Sequence, residues 1–189
     1  MKRTWLILPA LYAACLLTAC HGDSSNILGD DTAAAARDTS NANIIVGEND
    51  AQFIKQVASG CLAEIKIGWL AKQQGKDKRI KNFGAMMIKD LTKGHLRLIV
   101  LAQSKKIALP DTLTQAEQAS IDSLAAKTGK SFDEAYLTRV KTDYQQALKL
   151  FETTSKGAFD PQIKQFAAKN ILTIQRHLDL IDAMHASLR

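Results

Sequence analysis

A cysteine that follows a small residue at the end of a short apolar run is a site for lipid attachment, and Leu17-Thr18-Ala19-Cys20 has that form. Leu17, Ala19 and Cys20 together fit the pattern at which bacterial lipoprotein precursors are cut and acylated on the new N-terminal cysteine. Lys2 and Arg3 make a basic segment ahead of the run, and Trp5 to Leu17 is its apolar stretch. That stretch is shorter than the roughly 20 apolar residues a spanning helix needs, so 1–19 reads as a leader. An ordinary cleaved leader, or a buried N-terminal helix, is the plainer alternative.

Other groups with chemical potential are sparse. No Gly-x-Ser-x-Gly, glycine-rich phosphate loop or Cys-x-x-Cys occurs, which removes the familiar signs of acyl transfer, nucleotide binding and dithiol chemistry. If Cys15 leaves with the leader and Cys20 takes lipid, Cys61 is the one remaining thiol, so no intramolecular disulfide can form. Cys61 then reads as a small packed hydrophobe. Glu64 stands on an otherwise apolar helical stripe, where a bare carboxylate is costly. It is a metal ligand, a carboxyl bonded to Tyr144 or His177, or a group turned to water. His177 shares an apolar face and reads as a satisfied core histidine. His95 and His185 are expected in solvent, and Met86 and Met87 in packing. Lys81, Lys89, Lys93 and Arg97 recur at multiples of four, a slowly winding basic stripe. It is the solvated back of a helix, or a contact for anionic lipid or an acidic envelope partner.

The elements that position these groups follow from composition and period. The 189 residues carry 25 Lys and Arg against 19 Asp and Glu, a formal charge of +6. Loss of Lys2 and Arg3 with a leader lowers it to about +4. That charge implies no nucleic-acid partner, and an exported chain would meet none. Residues 20–48 are rich in Asp, Ser, Asn, Thr and Ala without a sustained apolar period, so they read as a lipidated, flexible tether. His21 after the cysteine, where an Asp holds Gram-negative lipoproteins at the inner membrane, favours the periplasmic side of the outer membrane.

Residues 49–189 read as one helical domain. Phe53, Val57, Gly60, Glu64, Ile67 and Ala71 mark the first helix, which ends before Gly75. Asp77 caps a second, with Ile80, Phe83, Met87, Leu91, Gly94 or His95, Leu98 and Leu101 inward. Thr114 with Glu117 opens a short third helix to about Lys127, and Ser131 with Glu134 is a second capping-box pattern. The helix it opens carries Tyr136, Val140, Asp143 or Tyr144, Ala147 and Phe151. Asp160-Pro161 starts the last, with Ile163, Phe166, Asn170, Ile174, His177, Ile181 and Met184.

The chain also echoes itself. Asp77-Lys78-Arg79-Ile80-Lys81-Asn82-Phe83-Gly84-Ala85 aligns without a gap on Asp160-Pro161-Gln162-Ile163-Lys164-Gln165-Phe166-Ala167-Ala168. Two related hairpins packed together make a four-helix bundle, with the short helix in the crossover.

Asp50-Ala51-Gln52-Phe53-Ile54, Leu62-Ala63-Glu64, Ile80-Lys81-Asn82-Phe83-Gly84, Phe132-Asp133-Glu134-Ala135-Tyr136, Ala147-Leu148-Lys149-Leu150-Phe151 and Lys164-Gln165-Phe166-Ala167-Ala168 stand in an order and spacing that resemble a bacterial family. It is the uncharacterised ferritin-like family often labelled "predicted outer membrane protein". The resemblance covers about Asp50 to Met184. It implies an all-α, ferritin-like four-helix bundle, exported, with no established activity. It also implies acids at 64, 90 and 143 and histidines at 91, 144 and 177. Glu64, Asp90, Asp143 and His177 are retained, but Leu91 and Tyr144 replace two imidazoles. The expected centre is therefore a polar cluster, with Tyr144 donating to Glu64, and no resident cofactor. The expected function is a tethered binding or envelope-maintenance module with no catalytic residues and a degenerate metal site. The alternative is a metal-storage or oxidoreductase module that holds a divalent metal on the four retained groups.

Overall fold

A computed structural model describes residues 46–188; the leader, Cys20 and most of the expected tether lie outside the described residues. Five helices follow in order: α1 (Glu48–Gln74), α2 (Lys78–Ser104), α3 (Gln115–Ala125), α4 (Gly129–Gly157) and α5 (Pro161–Ser187). Among the described residues there is no strand, and no helix is long and apolar enough to cross a membrane. The four long helices form the expected bundle.

Three-residue turns force α2 back along α1 and α5 back along α4. The two hairpins differ in how their helices meet. In the first, α1 and α2 approach closely enough that a Cβ at Gly84 would lie 2.6 Å from the Gly68 carbonyl oxygen and 2.9 Å from Ala71 Cβ. Only glycine permits that crossing. Across the hairpins, α1 lies against α4 and α2 against α5, with α3 packed on α1 and α4. The order is up-down-down-up, and the crossover from Lys105 to Thr128 travels the length of α2. At 27 residues that is about 40 Å.

The apolar stripes meet as one core. Phe53, Ile54, Ile67, Ile80, Met87, Leu98, Phe132, Tyr136, Val140, Ile163 and Ile181 are all buried. Phe53, Phe151 and Phe166 interlock edge-on or tilted at one level of the bundle. At another level Phe132 stacks on Tyr136, and Phe83 meets Tyr136 edge-on.

Both ends are closed by buried aspartates, and the internal echo accounts for them. Asp133 at the start of α4 accepts from the backbone N–H of Lys76 (2.9 Å) and Asp77 (2.8 Å), in the α1–α2 turn. Asp50 at the start of α1 accepts from the N–H of Asp160 (2.8 Å), in the α4–α5 turn. The offset that carries Asp77 onto Asp160 also carries Asp50 onto Asp133, so each hairpin clamps the other's turn. Asp160 additionally caps α5 through the N–H of Gln162 and Ile163 and meets Lys105 Nζ at 2.6 Å. Burial alone would raise the Asp160 pKa, but the Lys105 ammonium and the two capping N–H groups hold it below the usual range.

Two local expectations are corrected. The Ser131–Glu134 box does not form. Instead α4 begins at Gly129, whose φ of 61° lets the chain turn in earlier, and Thr128 makes no side-chain cap. The Thr114–Glu117 box does form, with both reciprocal bonds. His185 does not fray: it lies half-buried within the last turn of α5.

Because Asp133 holds two N–H groups and Asp50 one, Asp133→Ala should destabilise more than Asp50→Ala. The expected loss is about 1.5–3 kcal/mol for each charged hydrogen bond removed. Urea unfolding of the two variants measures the order directly.

Candidate functional site

Between the hairpins lies a cleft of about 770 Å³, lined by all four long helices. Its apolar wall includes Val57, Leu91, Leu150, Phe151, Phe166 and Ile174. Gly60 and Gly94 also face it, and nothing lies within 4 Å of where their Cβ atoms would stand. Glu64, Asp90, Asp143 and His177 all line this one cleft, as do Leu91 and Tyr144.

The four groups divide into two hydrogen-bonded chains. In the first, Arg139 Nε donates to Asp143 Oδ2 at 2.6 Å, and Asp143 in turn faces Glu64. Arg139 also donates to the Ser120 hydroxyl of α3. Glu64 Oε2 is buried with no donor beside it. A carboxylate there would be stranded. Burial, then the charge of Asp143 and a hydrogen bond to it, push the Glu64 pKa well above its ordinary value, against the pull of Arg139. These causes favour the neutral acid at Glu64, with its proton directed at Asp143. The missing donor is Glu64's own hydrogen.

In the second chain, Arg176 lies 3.4 Å from Asp90 Oδ2, which lies 3.2 Å from His177 Nε2. His177 Nδ1 is 3.1 Å from the Tyr144 hydroxyl. Burial lowers the His177 pKa despite Asp90, so the ring is neutral at pH 7. One tautomer satisfies both contacts: Nε2–H donates to the Asp90 carboxylate, and Nδ1 accepts from Tyr144. The expected Tyr144–Glu64 bond is replaced by this one. Tyr144 on α4 turns to α5, while Glu64 on α1 meets Asp143, one residue earlier on α4.

Neither chain presents an activated nucleophile. Burial, reinforced by Glu64, pushes the Cys61 thiol up to about 12. Tyr136 and Tyr144 are likewise raised, first by burial and then by Glu64. Among the described residues no three His, Cys, Asp or Glu converge closely enough to hold an ion. Both ring nitrogens of His177 are engaged, and Met87 Sδ accepts from Tyr136 at 3.0 Å. Donors in such contacts are not free for a soft or borderline ion.

Lys81, Lys89, Lys93 and Arg97 are all exposed on α2. Lys93 and Arg97 reach the cleft, and Lys81 and Lys89 do not. His95 departs from the expected exposure, since its Nδ1 is buried without a partner. Tyr144 is the buried member of the 143–144 pair and Asp143 is half-buried, whereas Arg139 carried no signal beyond its i,i+4 spacing to Asp143.

Glu64 gives the stability a specific pH dependence. Its folded pKa is raised, so the folded state keeps a proton that the unfolded chain loses above 4.5. Stability must therefore fall as pH rises from there through the folded value. His177, with a lowered folded pKa, acts in the opposite sense below 6.5. Glu64→Gln retains a donor toward Asp143 without a titrating proton. Unfolding measured from pH 5 to 9 should show the variant gaining on the parent as pH rises. A constant difference between the two curves would mean that Glu64 titrates normally.

Comparison with known proteins places the fold. A DUF305 fragment from Deinococcus radiodurans superposes with a TM-score of 0.65 at 7% identity, covering 74% of this chain and 96% of that one. A DUF305 protein from Streptomyces coelicolor gives 0.62 at 12%, covering 74% and 93%. CopM in its Cu(I)-bound form gives 0.62 at 13%, covering 73% and 96%. At these identities the likeness is one of fold. No curated protein matches the chain in sequence. The model of the domain of unknown function DUF4142 matches residues 32–184, most of the chain, and the protein belongs to that family.

Proposed function

We propose that this protein is a non-enzymatic binding module, exported and held by lipid on Cys20 at the periplasmic face of the outer membrane. The cleft between the hairpins is the observation that carries the reading. Its 770 Å³ falls within the roughly 300–1,000 Å³ of small-molecule sites, and it combines an apolar wall with a few placed polar groups. The polar groups at its centre serve one another, which suits a preformed pocket better than a reaction centre. The up-down-down-up order with one long crossover is also that of ferritin-like bundles. We read the cleft as the position of a metal site that has lost its ligands, with Leu91 and Tyr144 marking the loss. The leader pattern and Cys20 support the tether, and the flexible composition of 20–48 supports a spacer that lifts the bundle from the membrane.

A second reading, metal storage or redox chemistry on Glu64, Asp90, Asp143 and His177, draws on the fact that all four face one cleft. A fold neighbour is known in a Cu(I)-bound form. The engaged nitrogens of His177 and the Glu64 proton directed at Asp143 weigh against it, because each must be released before a metal can bind.

Mass spectrometry of the mature protein should find a triacylated or diacylated Cys20 at the N-terminus, and Cys20→Ser should move the protein to the soluble periplasmic fraction. An unmodified Cys20, or a start downstream of it, refutes the tether. Metal analysis of the same preparation should give well under one equivalent of any transition ion. A stoichiometric ion that survives mild chelation would establish the second reading instead.

A further inference from the structure

We infer that the cleft takes a single-chain anionic amphiphile, with its head at Lys93 and Arg97 and its chain along the wall formed by Leu91, Phe166 and Ile174. The inference rests on the binding reading above and adds the chemical class of the ligand.

The charge pattern around the cleft selects the sign. Every acid that lines it already has a partner. Asp143 is held by Arg139, and Asp90 by His177 and Arg176. Glu117 closes the Thr114 cap and accepts from Ser59 at 2.6 Å. Glu64 is protonated by its burial beside Asp143. Of the four cations, Arg139 is committed to Asp143, and Arg176 is largely exposed and reaches Asp90 at 3.4 Å. Lys93 and Arg97 have no acidic partner among the described residues. The uncompensated charge at the cleft is thus positive, and it is concentrated one helical turn apart on α2, beside an apolar interior. A carboxylate or comparable monoanion would pair with these two groups, while a hydrocarbon chain would cover side chains now facing open space.

The shape of the cleft agrees with a chain rather than a flat surface. Gly60 and Gly94 leave its wall without side chains at two points on facing hairpin helices. Lys81 and Lys89, on the same basic stripe, lie outside it. A bilayer surface would engage all four cations, whereas an amphiphile in the cleft requires only Lys93 and Arg97.

The test uses the full chain carrying Cys20→Ser, titrated calorimetrically with laurate and with dodecyltrimethylammonium below their micellar concentrations. Laurate should bind one to one, and dodecyltrimethylammonium at least tenfold more weakly. Lys93→Glu with Arg97→Glu, both at exposed positions, should weaken laurate at least tenfold and reverse the order of the two ligands. Gly94→Leu fills the wall at a site free of steric conflict and raises helix propensity, so it should fold, as circular dichroism checks, and exclude both chains. Failure of laurate to bind overturns the proposal. So do equal affinities for the two amphiphiles, indifference to the charge reversal, or sedimentation with phosphatidylglycerol vesicles by a protein that ignores monomeric laurate. If laurate fails but neutral N-phenyl-1-naphthylamine binds one to one and is excluded by Gly94→Leu, the ligand class is wrong and the binding reading survives. If neither enters, both fall.

Discussion

A carboxyl group built into the wall of an apolar bundle must be neutralised or paired, and the centre of this molecule is arranged around that constraint. Glu64 cannot ionise cheaply, because its carboxyl is buried and it faces another acid, Asp143. Arg139 pairs with Asp143 at 2.6 Å, and burial together with the charge of Asp143 favours the protonated form of Glu64. The order Arg139–Asp143–Glu64 thus runs from a partly exposed cation to a buried neutral acid. Arg176–Asp90–His177–Tyr144 repeats the pattern with its aspartate on α2 of the first hairpin, ending on a neutral imidazole and a phenol. In both chains a half-buried aspartate is met by an arginine, Arg139 at 2.6 Å and Arg176 at 3.4 Å.

This arrangement explains how the bundle tolerates a cleft. Each hairpin is self-sufficient: the first is drawn together at Gly68 and Gly84, the second by packing along α4 and α5. The hairpins are then joined at their ends, where Asp133 and Asp50 hold each other's turns and Lys105 anchors Asp160. With the ends closed and two aromatic clusters filling the levels between, the middle need not be packed to density. Polar chains line it instead, and the resulting space is the feature available for function.

Much of this was legible in the sequence, because burial on a helix imposes a period that can be read directly. The inward faces of all four long helices follow the three- and four-residue steps, down to Asn170 and His177. The duplication was visible too, although its consequence was not. Asp50 and Asp133 lie at the same offset as Asp77 and Asp160, yet a carboxylate at a helix start looks like an ordinary surface residue until the opposing turn is known. Depth along the bundle follows from position within each helix, which is why Glu64, Leu91, Tyr144 and His177 are expected at one level. Rotation about the helix axes does not. Tyr144 therefore meets His177, and neighbouring Asp143 takes the place beside Glu64 expected of Tyr144, while His95 is half-buried with its Nδ1 covered. At the α3–α4 junction, local capping chemistry at Ser131 lost to a left-handed glycine two residues earlier. Several turn chemistries were available there, and tertiary packing chose among them.

The protonated state of Glu64 is the point on which both the polar chains and the net charge of the cleft depend. It can be observed by following the side-chain carboxyl carbon of Glu64 by NMR across a pH titration of the folded protein, alone and with Asp143→Asn. The resonance should titrate with a midpoint well above 4.5, and removal of the Asp143 charge should bring that midpoint down. A Glu64 signal that titrates near 4.5 and ignores Asp143 would mean that the buried group is an ordinary carboxylate, offsetting one of the two unpaired cations at the cleft.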